Sequence, residues 1–242
     1  FATVFQASVG VRHGVRRIII VNQVMQPAEL DALARLHEAQ PALRSMFLVD
    51  SVGQVERIEA WAARSGFDGM FEVLLELGMA GHRTGCRTDE QARQLAQRIH
   101  ASPVLVLSGL ECYEGTAAVC DHAKDRAVVN ALMNRVEALA REALAQGWFA
   151  GNDELILSAG GSAIFDLVAE HLQPTLGLPV RGVLRSGCYL THDHQRYARF
   201  LCCVGERLNL RETLRPALEV LACVQSCPEP GLALLKIGRA HV

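Results

Sequence analysis

The residues best suited to chemistry stand in glycine-rich segments that follow apolar runs. Ser158-Ala159-Gly160-Gly161-Ser162 is one of them. Its two glycines let the backbone approach a ligand closely, and Ser162 carries a hydroxyl. A helix starting next would add free N–H groups and a dipole that favours phosphate, although Ser162 as the N-cap of an ordinary turn fits a short Gly-Gly-Ser about as well. After the next apolar run comes Arg185-Ser186-Gly187-Cys188-Tyr189, followed by His192, Asp193 and His194. Arg83 lies in the loop Gly78-Met79-Ala80-Gly81-His82-Arg83-Thr84-Gly85. Its planar fork suits an anionic or heteroaromatic ligand, and an ion pair with Glu76 is its simpler, structural use. Tyr113 and Tyr189 are two of three tyrosines; each can stack on a ligand, donate to it, or close the edge of a core.

Metal chemistry is weakly signalled. His192 and His194 would share a face only on a strand, Cys223-x-x-x-Cys227 lacks a matching second pair, and Cys202 with Cys203 suits packing in a helix. No metal ligand is therefore expected within this chain.

These segments need elements to position them. Apolar, strand-length runs cover Arg17–Val21, Met46–Asp50, Met70–Leu77, Val104–Leu107, Glu154–Leu157 and Val180–Leu184. Most are continuous in hydrophobicity, as strands buried on both faces should be. Helical spacing separates them: Leu30, Leu33, Leu36; Val55, Ile58, Ala62; Ala92, Leu95, Ile99; Val128, Leu132, Val136, Leu139; and Ile164, Leu167, Val168. Thr88 with Gln91 reads as a capping box, and Gly147 as the stop of the longest helix. Alternation of this kind predicts a parallel α/β sheet with right-handed crossovers, either open or closed into most of an eight-fold barrel. Functional residues in such folds lie just beyond the carboxyl ends of the strands, where the glycine-rich segments stand. After about Leu208 the cycle stops, and Leu218–Ser226, a Pro228-Glu229-Pro230-Gly231 turn and Leu232–Leu235 predict a hairpin.

The chain has 242 residues, half of them hydrophobic, with 24 basic and 26 acidic side chains and a net charge of −2. Near-neutrality gives no electrostatic footprint for nucleic acid or a membrane surface, and no apolar run reaches membrane-span length. The sequence begins at Phe1 without the pattern of a signal peptide, so it reads as a start in mid-protein. Eight scattered cysteines read as reduced thiols of a cytoplasmic protein. Only Lys124 and Lys236 are lysines.

In family order, Ala2–Ala7, Ile19–Val24, Leu48–Ser51, Glu76–Gly85, Gly109-Leu110 with Tyr113-Glu114-Gly115, Ala159–Ser162, Leu184–Asp193 and Val224–Ser226 with Pro228-Glu229-Pro230 resemble one known group. It comprises the pyridoxal-phosphate enzymes that include D-serine dehydratase (deaminase), D-threonine aldolase and the amino acid deaminases, whose amino-terminal domain is the barrel of alanine racemase.

The resemblance implies an incomplete (β/α)8 TIM barrel over residues 1–207, with the six strands as barrel strands three to eight and Ala2–Val4 as the end of strand two. It implies the start of a carboxyl-terminal β domain over 208–236. Residues 237–242 read as a non-native tail. Strand one, which carries the cofactor lysine, would be missing, and neither Lys124 nor Lys236 is placed to replace it, so this chain alone is expected to be inactive.

Pyridoxal 5'-phosphate would be held by Gly160, Gly161, Ser162, Gly187 and Cys188 around its phosphate, with Tyr189 flanking, Arg83 near its ring and Tyr113 facing cofactor or substrate. His192 is assigned to substrate. A divalent zinc or manganese ion is implied in the intact enzyme, with ligands outside this chain. The implied activity is a lyase acting on small D-amino acids, β-elimination of the D-serine dehydratase type. Retro-aldol cleavage of the D-threonine aldolase type and a non-catalytic cofactor-binding barrel are the alternatives. A homodimer is implied for the intact protein.

Overall fold

The computed structural model describes residues 1–149, 151–189, 191–217 and 219–236. After α1 (Val4–Arg12), strands and helices alternate: β1 (Arg17–Gln23), α2 (Pro27–Ala39), β2 (Arg44–Val49), α3 (Val52–Ser65), β3 (Phe71–Leu77), α4 (Asp89–His100), β4 (Leu105–Cys112), α5 (His122–Ala145), β5 (Leu155–Ala159), α6 (Phe165–Ala169) and β6 (Val180–Leu184). Helix α7 (Arg196–Leu208) follows, then an antiparallel hairpin of β7 (Cys223–Glu229) and β8 (Leu232–Lys236).

The six central strands pair in parallel in chain order, β1-β2-β3-β4-β5-β6. All six expected strands form, and the fold is a parallel α/β half-barrel. Among the described residues the sheet does not close, so β1 and β6 are its edges. The expectation of a barrel is met to that extent.

Alternate residues divide each strand between two environments. Ile18, Ile20, Phe47, Val49, Val73, Leu75, Leu110, Leu155 and Leu157 face the helices and join one core with Leu33, Ile58, Leu95 and Leu132. The opposite, concave face is layered. Its amino-terminal end is polar: Arg44 donates from Nε to both Glu72 oxygens at 3.0 Å and from Nη1 to Glu154 at 2.7 Å, while Arg181 and Ser108 add bonds to Glu154 and Glu72. Met46, Leu48, Leu74 and Ile156, with Ile19, Val21 and Val183, form an apolar middle. The carboxyl-terminal end is polar again and holds the candidate site. Apolar residues on both faces explain why the strands read as continuous rather than alternating runs.

Helix α1 departs from the sequence expectation, and α7 extends the helix read at Cys202 and Cys203. Thr3 accepts a hydrogen bond from the Gln6 N–H and starts α1 at Val4, burying Val4, Ala7 and Val11. The strand expected over Ala2–Val4 does not form; the backbone of Phe1, just ahead of it, pairs with β1, donating to Ile19 at 2.9 Å and accepting from Val21 at 2.8 Å. At the other end, Tyr197, Leu201 and Val204 supply the buried stripe of α7. The capping box at Thr88 forms, and Gly147 takes φ of +72° just past α5. The hairpin begins at Cys223, and Gly231 makes its turn at φ +83°. The tail assigned to residues 237–242 lies outside the described residues.

Candidate active site at the carboxyl ends of the strands

The concave face ends in Gln23, Glu76, Glu111, Ser158 and Arg185. Glu76, at the end of β3, accepts from Gln23 Nε2 at 2.5 Å and from Thr84 Oγ1 at 2.6 Å. Burial pushes its pKa up, against the pull of those two donors.

The loop after β3 is folded by its own backbone. Gly78 donates to Cys86 O, Gly85 donates to Asp50 Oδ2 at 3.1 Å, and Arg135 donates to Gly78 O at 2.9 Å. Gly85 has φ of +101°, and a Cβ there would stand 2.5 Å from Gly78 N, so only glycine fits. This folding carries Arg83 over the Tyr113 ring, with Cζ 4.9 Å from the ring centroid and Nη2 3.5 Å from Asn22 Oδ1. The structural pair with Glu76 does not form as a direct contact, because Thr84 and Gln23 occupy that carboxylate.

Glu111, near the end of β4, is buried. Arg185, one residue past β6, sets its Nη2 against Glu111 Oε1 without hydrogen-bond alignment. The same guanidinium donates to Ser158 Oγ at 2.9 Å and to Cys112 O at 2.7 Å, tying together the ends of β4, β5 and β6. Burial pushes the Glu111 carboxyl up to about 8; Arg185 opposes the shift, and the neighbouring Glu76 and Glu114 carboxylates add to it.

The Gly160-Gly161 turn is held from both sides. Glu114 accepts from Gly160 N at 3.2 Å and from Gly161 N at 2.7 Å, while Ser186 Oγ donates to the carbonyls of both glycines. Gly160 takes φ of +85°. A Cβ on Gly161 would lie 2.6 Å from Tyr113 Cε2, so the ring rests directly on the turn. Contrary to the capping expectation, α6 starts at Phe165, with Ile164 at the N-cap and no side-chain cap bond. The N–H groups of Gly160 and Gly161 are engaged by Glu114, and that of Gly187 donates to Arg185 O. Ser162 and Cys188 are then the remaining backbone donors of the expected set. Gly187 faces open space and Cys188 is exposed. The side chain of Tyr189 lies outside the described residues.

A cavity of about 670 Å³ runs along the concave face and ends at Arg185, Ser186 and Gly187. Arg83, Tyr113 and the Gly160-Gly161 turn do not line this cavity; Arg185, with Cζ 6.0 Å from the Tyr113 ring centroid, joins it to them, and two guanidiniums, a tyrosine ring and glycine backbone so grouped fit a planar ligand that carries a phosphate.

His192 is buried with its ring edge-on to Tyr197, centroids 5.2 Å apart, and neither ring nitrogen has a hydrogen-bond partner. His194 is exposed and neither residue lies on a strand, so the shared strand face does not exist. Asp193 caps α7: its carboxylate accepts from the N–H groups of Gln195, Arg196 and Tyr197, and these bonds, led by that of Gln195, hold its pKa down. Lys124 pairs with Asp121 on the first turn of α5, and Lys236 ends β8. Neither stands among the strand-end groups.

Sequence reasoning assigned no role to Glu111, Glu114 or Arg185. Their signal was a charge directly inside or after a buried apolar run, at positions that alternate with core residues.

The description "Alanine racemase, N-terminal domain" matches residues 6–197. The 3-hydroxy-D-aspartate aldolase of Paracoccus denitrificans (strain Pd 1222) is 26% identical over 240 residues, covering 97% of this chain and 57% of its own length. The chain thus spans little more than half of that relative. Among solved structures, D-threonine aldolase from Filomicrobium marinum superposes with a TM-score of 0.70 at 22% identity, over 97% of this chain and 58% of its own. D-threo-3-hydroxyaspartate dehydratase from Delftia sp. HT23 gives 0.54 at 22% identity, over 79% and 47%. These structures share the fold. The family match agrees with pyridoxal phosphate as the cofactor. With four-fifths of its length matched, from the first turn of α1 into α7, the chain belongs to the alanine racemase N-terminal domain family.

Proposed function

We propose that this chain is the barrel portion of a pyridoxal-phosphate-dependent lyase that acts on small D-amino acids bearing a β-hydroxyl group. The observation that carries the reading is the Arg83–Tyr113–Gly161 stack beside Arg185, at the carboxyl ends of the strands. It offers a platform for an aromatic ring and positive charge for a phosphate. The six strands are read as six of the eight staves of a closed barrel.

Pyridoxal phosphate, when bound, supplies a sink for charge that develops at the α-carbon of an amino acid. The protein's own part is positioning and proton placement. Ser162 and Cys188 would donate to the phosphate, the fixed Gly160-Gly161 turn would shape its seat, Gly187 would leave it room, and Tyr189 would flank it. Arg83 and Tyr113 would bound the ring. Glu111 keeps a proton on a carboxyl oxygen near neutrality, which makes it a donor beside Arg185. His192 is proposed to contact substrate after a shift of the turn that buries it. The amine that the chemistry requires is assigned to a barrel strand other than these six, because neither lysine is near.

Retro-aldol cleavage is the leading reaction, since the curated relative is an aldolase along nearly the whole chain. Elimination of the β-hydroxyl, including from D-serine, is the second reading, supported by the fold shared with a hydroxyaspartate dehydratase. No helix among the described residues is long and apolar enough to cross a membrane. A cytoplasmic homodimer, with a divalent zinc or manganese ion bound outside this chain, completes the proposal.

The test is product analysis with the full-length protein and added cofactor. D-threonine or D-3-hydroxyaspartate should yield glycine and an aldehyde, and L-enantiomers should not react. Ammonia and a 2-oxo acid instead of glycine would select elimination over cleavage. Cofactor binding without turnover of any D-amino acid would overturn the lyase reading in favour of a non-catalytic binding protein.

A further inference from the structure

A second cluster of ligating side chains stands apart from the strand-end site. His122 is the first residue of α5, and Cys203 and Glu206 lie one turn apart on α7. The ligand atoms of these three residues all lie within 4.8 Å of one another. His122 Nε2 and Glu206 Oε2 are 3.6 Å apart.

Nitrogen and sulfur ligands at about 2.0 and 2.3 Å from a tetrahedral ion lie roughly 3.3 to 3.8 Å from each other. The His122–Glu206 separation already falls in that range. The 4.8 Å limit asks the two pairs that include Cys203 to close by about one ångström, within the reach of the exposed His122 and Glu206 side chains. A thiolate, an imidazole and a carboxylate are the donor set of a borderline-soft divalent ion and not of calcium or magnesium, which take oxygen ligands.

We propose that His122, Cys203 and Glu206 form a zinc-class metal site, with the fourth tetrahedral position left to water, that fastens α7 to the start of α5. Binding releases the proton of the Cys203 thiol. The loop fastened in this way leads back along the chain to Tyr113 and Glu114, so the ion would brace the segment that supports the Gly160-Gly161 turn. The site is separate from the divalent ion implied by the family resemblance, and it does not depend on the proposed lyase activity.

The test is titration of the reduced full-length protein, without pyridoxal phosphate, with Co²⁺ and then Zn²⁺. The family's expected metal site is first disabled by substitution of its ligands. One Co²⁺ per chain should give visible bands of a tetrahedral ion and a near-ultraviolet thiolate charge-transfer band, and Zn²⁺ should displace it. Cys203→Ser should abolish the charge-transfer band or weaken it strongly. His122→Gln, at an exposed position that folding does not require, should weaken binding by about tenfold or more. Cys227→Ser, on the hairpin, should leave binding unchanged. Circular dichroism confirms that each variant is folded, and His122→Gln serves if Cys203→Ser is not. Absence of thiolate-to-cobalt bands, or bands of unchanged affinity in His122→Gln, would overturn the proposal.

Discussion

The carboxylate of Glu114 accepts hydrogen bonds from Gly160 at 3.2 Å and Gly161 at 2.7 Å, so a residue just past β4 holds the turn that follows β5. The carboxylate occupies two of the N–H groups that the sequence reading assigned to phosphate. Glu114→Ala should therefore destabilise the protein by about 1 to 3 kcal/mol, because it strands two buried donors. Glu114→Gln, which keeps one acceptor, should fall between. Urea unfolding measures both, and a loss below about 0.5 kcal/mol in Glu114→Ala would show that water replaces the carboxylate freely.

Glu111 predicts a pH dependence. Its pKa rises from the ordinary 4.5 to about 8, chiefly through burial, so the folded protein holds a proton that the unfolded chain has released. Between those values the folded state binds more protons, and stability falls as pH rises. The slope from this one group is at most about 1.4 kcal/mol per pH unit. Glu111→Gln keeps the shape without the titration. The difference in stability between Glu111→Gln and wild type should grow from pH 5 to pH 8 in favour of the variant. Parallel stability curves would mean that Arg185 holds Glu111 ionised.

Gly161→Ala tests the platform. The added Cβ would stand 2.6 Å from Tyr113 Cε2, and the ring would have to leave the turn and Arg83 with it. Pyridoxal phosphate binding, followed by equilibrium dialysis on the full-length protein, should weaken by about tenfold or more if the ring supports the cofactor, a loss of about 1.4 kcal/mol. Equal affinity in Gly161→Ala and wild type would remove Tyr113 from the site.

The strands were legible because each runs through two apolar environments, and the strand-end glycines marked the right end of the sheet. Arg83, Tyr113, Gly160 and Gly161 do converge there. What the sequence hid was partnership across strands. Glu76 and Arg83 are close in sequence and invite pairing, yet Thr84 and Gln23 take the carboxylate and the arginine turns to Tyr113. Glu114 and Gly161 lie 47 positions apart, and only the parallel register of β4 and β5 brings them together. Asp193 stands in a polar run with His192 and His194 that invited chemistry, whereas its carboxylate caps α7, the helix that holds Cys202 and Cys203.

The sheet itself yields the last prediction. Strands β1 and β6 are edges, with only the Phe1 backbone paired along β1, and Met46, Leu48, Leu74 and Ile156 line a concave face beside a cavity of about 670 Å³. Unpaired strand edges next to an apolar surface recruit further strands. This 242-residue chain, made alone, should therefore self-associate: light scattering should report species larger than a monomer, and a dye that fluoresces on apolar surfaces should bind. Val183→Lys places a charge on the inner face of the β6 edge and should reduce both signals, because a partner strand would have to bury that charge. A monomeric wild-type chain with a single cooperative melting transition would show instead that the half-barrel is stable with its edges open.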